Sequence, residues 1–296
     1  MKPYLFLLLF SLSSHLFAQV GVDATQTTTF STAELTFNSE GATLAGIVYK
    51  PKNAHAAVVI VHGSGQEKRS DELAAKLANN GIAVFTYDKR GVGKSGGVYV
   101  GPEVGSNNID LANLNLLALD VSAAVNALYA QLNNKKLAIG LLGGSQAGWI
   151  IPMAASKTKK VNFMVVFSGP VVTTLQQLRF QFYTNGNNKF WDTHTEADAL
   201  LHIHTDADRY QFAATDPQDF LKQLSIPGIW LFGAKDIQVP VALSISNLNT
   251  LQAKGRNISY QVFPELGHNT LFAKSQEPLV AAMAWIRKLP NSKFDK

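Results

Sequence analysis

Short runs rich in valine, isoleucine and phenylalanine alternate with stretches of helical spacing from residue 56 onward, and few folds accommodate that order. "AAVVIV" (Ala56 to Val61) runs into His62-Gly63-Ser64-Gly65, and "DELAAKLANNG" then follows with apolar residues at helical spacing. "IAVFTYD" is a second strand, Asp110 to Leu132 a long helix, "KLAIGLL" a strand, Gln146 to Ser156 a helix, and "VNFMVVFSG" a strand. After a lapse the pattern resumes with "IPGIWLFG", a helix over Val241 to Lys254, "ISYQVFP", and a closing helix over Glu277 to Lys288. Strands that alternate with helices make parallel βαβ units and a sheet covered on both faces. Ahead of them, alternation on both sides of Ser39-Glu40-Gly41 predicts a β-hairpin ended by Pro51.

Between Pro170 and Leu224 no strand pattern occurs. The stretch is rich in aromatics, including Phe180, Phe182, Tyr183, Phe190, Trp191 and Tyr210, and predicts a helical insertion over one end of the sheet, at about 171–224. Those rings either build the core of the insertion or face the sheet edge as an apolar pocket. One domain of 19–296 carrying that insertion is expected, behind an N-terminal 1–18 of signal-peptide type: Lys2, about ten apolar residues, polar residues, and a cut after Ala18. Ser11, Ser13, Ser14 and His15 interrupt that stretch too early for a membrane anchor, and no later segment is expected to be long or apolar enough to span a bilayer. The expected location is therefore periplasmic or extracellular, and the oligomeric state stays open.

The chain has no cysteine, which excludes disulfides, thiolate metal sites and a cysteine nucleophile. Its net charge of +5 is dispersed, with no basic block longer than "KTKK", so nucleic acid is not an expected partner. "GVGKSG" (Gly91 to Gly96) imitates nucleotide-binding patterns, but Asp88 stands where a phosphate loop needs glycine and no helix follows. Asp88 and Arg90 are expected to brace that loop instead. His194, His202 and His204 lie among acids, yet residues two apart diverge on a helix, so neither a metal nor any other cofactor is expected.

The chemistry concentrates in "LAIGLLGGSQAGW". A serine between small neighbours at a strand-to-helix turn exposes its hydroxyl above the sheet, beside the N–H groups of the next helix. Gly143 and Ala147 flank Ser145 at the two positions concerned, giving G-x-S-x-A with Gly148 next. A helix cap is the plainer alternative for that serine. Downstream, Asp236 in "LFGAKDIQVP" and His268 in "FPELGHNT" each follow a predicted strand, on the edge where Ser145 lies. Serine, acid and histidine in that order supply a nucleophile, a residue orienting the base, and the base. Oxyanion donors are expected from the N–H of Gln146 and from Ser64 or Gly65, while His62 is expected to brace its loop.

Taken together, "VHGSG", "FTYDKRGVGKSGG", "GLLGGSQAGW", "GAKDIQVP" and "LGHNT" resemble the successive signatures of the α/β-hydrolase superfamily, closest to bacterial exported esterases and serine-aminopeptidase-like hydrolases. The resemblance covers nearly the whole chain after residue 18. It implies an eight-stranded, mostly parallel sheet flanked by helices, with a helical cap after the sixth strand. It also implies Ser145 as nucleophile, His268 as general base and then acid, and Asp236 as the residue that orients it. Gly144 and Gln146 stand where that family often has histidine and glutamate. The expected activity is hydrolysis of a small carboxylic ester through an acyl-enzyme intermediate, with cleavage of a short peptide by an aminopeptidase or dipeptidase as the alternative. An aminopeptidase would need a carboxylate for the substrate amine, with Glu196 or Asp198 as candidates, and a thioesterase acting on coenzyme A fits export poorly. A third class is a catalytically inactive ligand-binding protein on the same fold.

Overall fold

A computed structural model describes residues 30–290, so the N-terminal 1–18 lies outside the described residues. Alternation of exposed and inward residues makes a hairpin of β1 (Phe30–Ser39) and β2 (Ala42–Pro51), turning at Glu40 and Gly41, both with positive φ. The later strands are almost entirely buried, as parallel strands covered on two faces must be, except the last, an edge strand buried only at its two ends. They are β3 (Ala56–Val61), β4 (Ile82–Tyr87), β5 (Ile139–Gly144), β6 (Val161–Phe167), β7 (Gly228–Gly233) and β8 (Ile258–Phe263).

They form one sheet of eight strands in the order β1-β2-β4-β3-β5-β6-β7-β8. β1 pairs antiparallel with β2 and β2 with β4, and the five remaining pairings are parallel. The sheet is thus mixed, and its parallel portion places the loops after β3, β5, β7 and β8 on one edge. Helices α1 (Asp71–Asn79) and α8 (Glu277–Arg287) share one apolar cluster with the sheet. Helices α2 (Leu111–Gln131), α3 (Ala147–Lys157) and α7 (Val241–Ala253) share the other.

α2 corrects one expectation. Its 21 residues, with mean hydropathy 1.4, are long and apolar enough to cross a bilayer, but half of that window is buried in the protein. Its apolar composition follows from packing: Leu114, Ala118, Val121, Ala124 and Val125 face the sheet cluster. The same helix carries Asp120, 1% exposed, which receives both Nε and Nη2 of the buried Arg90. Burial pushes the Asp120 carboxyl up in pKa against the lowering effect of Arg90. Removing one partner of such a pair strands a buried charge, so Asp120→Ala is expected to cost roughly 3–5 kcal/mol. Urea unfolding checks this, and a loss below about 1 kcal/mol would contradict the assigned role.

Between β6 and β7 the chain runs through α4 (Thr174–Thr184), a 3₁₀ turn over Phe190–Asp192, α5 (Glu196–Thr205) and α6 (Gln218–Leu221), with no strand. α4 and α5 both begin with reciprocal capping boxes, Thr173 with Gln176 and Thr195 with Asp198. Phe180, Ala199 and Ile203 form a small separate core with Trp191 and Leu243. Phe190 and His194 stack nearby, as do Tyr183 and His202. The aromatic residues therefore mainly build the insertion itself, and of the expected pocket-forming rings only Tyr210 lines a cleft beside Ser145.

Candidate active site

β5 ends at Gly144 and α3 starts at Ala147, leaving two residues to reverse the chain. Ser145 closes that turn at φ 55, a left-handed conformation that costs energy in a residue other than glycine. Its small neighbours have a steric cause. A Cβ at Gly143 would strike the Val61 carbonyl and would lie 2.8 Å from the Ala147 methyl. A Cβ at Gly148 would lie 2.6 Å from the Pro170 nitrogen, so the close approach made possible by the last glycine of the sequence pattern occurs one residue later here. The Ser145 N–H donates to the Phe167 carbonyl at 3.0 Å, which fastens the turn to the end of β6.

Asp236 and His268 arrive on the loops after β7 and β8. The Asp236 side chain is fully buried, and its Oδ1 accepts the N–H groups of Gln238 (2.7 Å) and Val239 (2.9 Å). Its Oδ2 lies 2.9 Å from Nδ1 of His268, whose side chain is 17% exposed. A carboxylate held this way keeps the imidazole in one orientation, with Nδ1 carrying its proton and Nε2 free to accept one. The histidine loop is fastened in turn: the Thr270 N–H reaches the His268 carbonyl, and the Thr270 hydroxyl meets Ser168 Oγ at 2.9 Å and the Leu231 carbonyl at 3.1 Å.

Ser145 and His268 line one cleft, of about 290 Å³, with Ile60, Phe167, Leu271 and Phe272. A second cleft, of about 440 Å³, opens on the other side of Ser145 beneath α4. Ser64, Ser145 and Gln238 border both. Ser64 thus reaches the serine's surroundings, while Gly65 lines neither cleft and its carbonyl is taken by the Glu67 N–H and Lys89. Gln146, 1% exposed, lines the second cleft at the start of α3.

The sequence reading missed Lys89. It is 1% exposed, and its Nζ donates to the carbonyls of Gly63 (2.7 Å) and Gly65 (3.2 Å) and to Gln146 Oε1 (3.3 Å). A planar trans peptide points its N–H opposite its C=O, so capture of the Gly63 carbonyl aims the Ser64 N–H away from Lys89. The Gln146 side chain is held from its other end by Nε2 donating to the Asn108 carbonyl at 2.8 Å. One ammonium therefore ties together the two segments that carry the expected oxyanion donors. Burial pulls the Lys89 pKa down to about 8, against Glu67 and Glu103, which raise it. Burial in turn pushes Glu67 up while its Oε2 accepts the Gly63 N–H at 3.0 Å.

The bracing residues sit as expected. His62 is buried, bonds through Nε2 to the Tyr87 carbonyl at 2.7 Å, and is pushed down in pKa to about 3 by burial and then by Lys89. Asp88 accepts from Arg69 and from the Lys94 N–H inside the glycine-rich loop. The candidate amine-binding carboxylates do not reach the serine: Asp198 is spent in the cap of α5, and neither it nor Glu196 lines either cleft. His202 pairs with Asp206 at 3.0 Å, and among the described residues no group of three or more histidine or acidic side chains is arranged for a metal.

A serine on the β5–α3 turn, an acid after β7 and a histidine after β8, on one edge of this sheet, define a serine hydrolase scaffold. The sequence profile of the serine aminopeptidase S33 family matches residues 52–191, and that of the BAAT/acyl-CoA thioester hydrolase C-terminal family matches 122–273, more than half of the chain. The Pyrococcus furiosus esterase Pf2001 superposes with TM-score 0.62 at 17% identity, over 87% of this chain and 91% of the esterase. The acylaminoacyl peptidase of Pyrococcus horikoshii gives 0.63 at 15% identity, over 90% of this chain and 43% of the peptidase. A putative dienelactone hydrolase from Klebsiella pneumoniae gives 0.61 at 15%, over 88% of this chain and all of that one. The chain belongs to the α/β-hydrolase superfamily, and it is a serine hydrolase by class.

Proposed function

We propose that this chain is an exported hydrolase of carboxylic esters that works through Ser145, His268 and Asp236 and an acyl-enzyme intermediate. The observation that carries the reading is the buried, doubly N–H-bonded Asp236 held 2.9 Å from a histidine that shares a cleft with a serine at positive φ. Ser145 Oγ attacks the ester carbonyl carbon as its proton passes to His268 Nε2. The oxyanion is met by the N–H groups of Gln146 and Ser64, which strengthen their hold as charge develops. Collapse of the tetrahedral adduct breaks the bond to the alcohol oxygen, which takes the proton from His268. Water then repeats the sequence on the acyl-enzyme and restores the hydroxyl.

An amide-cleaving role uses the same three side chains, and the serine aminopeptidase profile favours it as the second reading. Recognition of a free substrate amine, however, lacks the two carboxylates expected for it, because Glu196 and Asp198 line neither cleft, and Glu67, which lines the first, already accepts the Gly63 N–H. The inactive-binder alternative is disfavoured by three competent side chains in place. Export is supported by Lys2, the apolar stretch and Ala18. A fluorophosphonate is expected to label the protein at one residue, Ser145, identified by peptide mapping, and p-nitrophenyl acetate is expected to turn over faster than aminoacyl anilides. Absence of labelling, or anilides turned over faster, would reject the ester reading.

A further inference from the structure

The second cleft has an unusual lining for an ester hydrolase. Among the described residues, no charged side chain borders it, and six carboxamides do: Asn107, Asn108, Gln146, Gln177, Gln181 and Gln238. Asn108 and Gln146 are spent on internal bonds, Asn108 to the Ser64 carbonyl and Gln146 to Lys89 and Asn108. Gln177 is not. It is only 5% exposed, yet its Oε1 is buried with no hydrogen-bond partner. Gln181 follows one turn later on α4, so both project from the same face of that helix, and Gln238 closes the opening next to Asp236. An interior carboxamide left unmet weakens a fold unless a ligand completes it, and an oxygen acceptor is completed by a donor.

Which part of the substrate occupies this cleft follows from proton delivery. His268 must hand its proton to the departing oxygen, so the alcohol lies in the cleft that His268 lines, and the acyl portion extends into the other, which His268 does not line. We propose that the acyl group taken by this enzyme is uncharged and carries a hydrogen-bond donor, a hydroxyl or an amide N–H, which the Gln177 carboxamide receives. The inference rests on the ester-hydrolase reading above. It makes Gln177 a specificity-determining residue and Gln181 its neighbour on the wall. A plain fatty chain leaves the carboxamide unmet, and an anionic acyl group finds no cation there.

Two pairs of p-nitrophenyl esters differ only at the group in question. 3-Hydroxybutanoate against 3-methylbutanoate exchanges a hydroxyl for a methyl, and N-acetylglycinate against 4-oxopentanoate exchanges an N–H for a methylene. The wild-type enzyme is expected to favour the donor-bearing member of at least one pair in kcat/KM by about tenfold, and which pair responds tells hydroxyl from amide. The hemisuccinate ester is expected to react more slowly than either favoured substrate. Gln177→Leu, of similar volume, is expected to abolish or reverse the preference, and Gln181→Leu, at a less buried position, to diminish it. Because the readout is a ratio measured on one preparation, partial unfolding does not imitate it. No preference in either pair, a ratio unmoved by Gln177→Leu, or a preference for hemisuccinate would overturn the inference while leaving p-nitrophenyl acetate turnover and Ser145 labelling intact. Loss of labelling and acetate turnover would instead remove the ester-hydrolase reading and this inference with it.

Discussion

Ser145→Ala is expected to lower kcat for p-nitrophenyl acetate by roughly 10⁴- to 10⁶-fold, since residues that act as one unit lose most of their effect when any one is removed. The residual rate would come from the Ser64 and Gln146 N–H groups and from binding alone. For the same reason a Ser145→Ala/His268→Ala double variant should lose little beyond the single one. Alanine retains the left-handed strain of the φ 55 turn, so the variant should stay folded, as circular dichroism would show. Turnover within tenfold of wild type would mean that the serine on this turn is not the nucleophile.

The second large effect is expected at a residue that touches no substrate. Lys89→Met keeps most of the volume but releases the carbonyls of Gly63 and Gly65 and the Gln146 side chain. The Ser64 N–H then loses its fixed direction, and kcat should fall by about 10²-fold, the scale of a lost oxyanion donor, with KM changed much less. A purely structural role would lower the fraction of active enzyme without reshaping its pH profile, and Lys89 should reshape it. With its pKa drawn down to about 8, the wild-type ammonium loses its proton as pH rises through that value, leaving two donors for three acceptors and no positive charge. The kcat should therefore decline above about pH 8 in the wild type, and this limb should be missing in Lys89→Met. Unfolding would not account for the decline. The folded pKa lies below the ordinary 10.5, so between those values the unfolded chain binds more protons, and this group's contribution to stability rises with pH. A wild-type kcat in Lys89→Met, or an unchanged alkaline limb, would refute the assignment.

The placement of Ser145, Asp236 and His268 on one edge was legible in the sequence because each follows a strand, and parallel strands end on a common edge. The element boundaries also followed closely from periodicity, as with Val241–Ala253 and Glu277–Arg287. What stayed hidden depended on contacts between distant segments. β4 lies outside β3 in the sheet, an order that no local pattern encodes. Lys89 reads as an ordinary charged loop residue until the loops after β3 and β5 bring three acceptors around it. The insertion drew notice through its aromatics, which pack among themselves, whereas Gln177 and Gln181, one turn apart and polar, form the wall of the cleft. α2 escaped notice as an apolar span, and its single charge, Asp120, is neutralised internally by Arg90.

The insertion is joined to the acid-bearing loop by two bonds, Trp191 Nε1 to the Asp236 carbonyl at 2.9 Å and the Thr184 hydroxyl to the Ile237 carbonyl at 2.7 Å. The histidine, by contrast, is moored to the sheet through Thr270 and Ser168. Divergence of this scaffold toward new diets is therefore unequal along its length. A foreign cap grafted between β6 and β7 would have to bring matching partners for 236–237, whereas the backbone loop that carries the histidine would keep its own anchorage on the sheet.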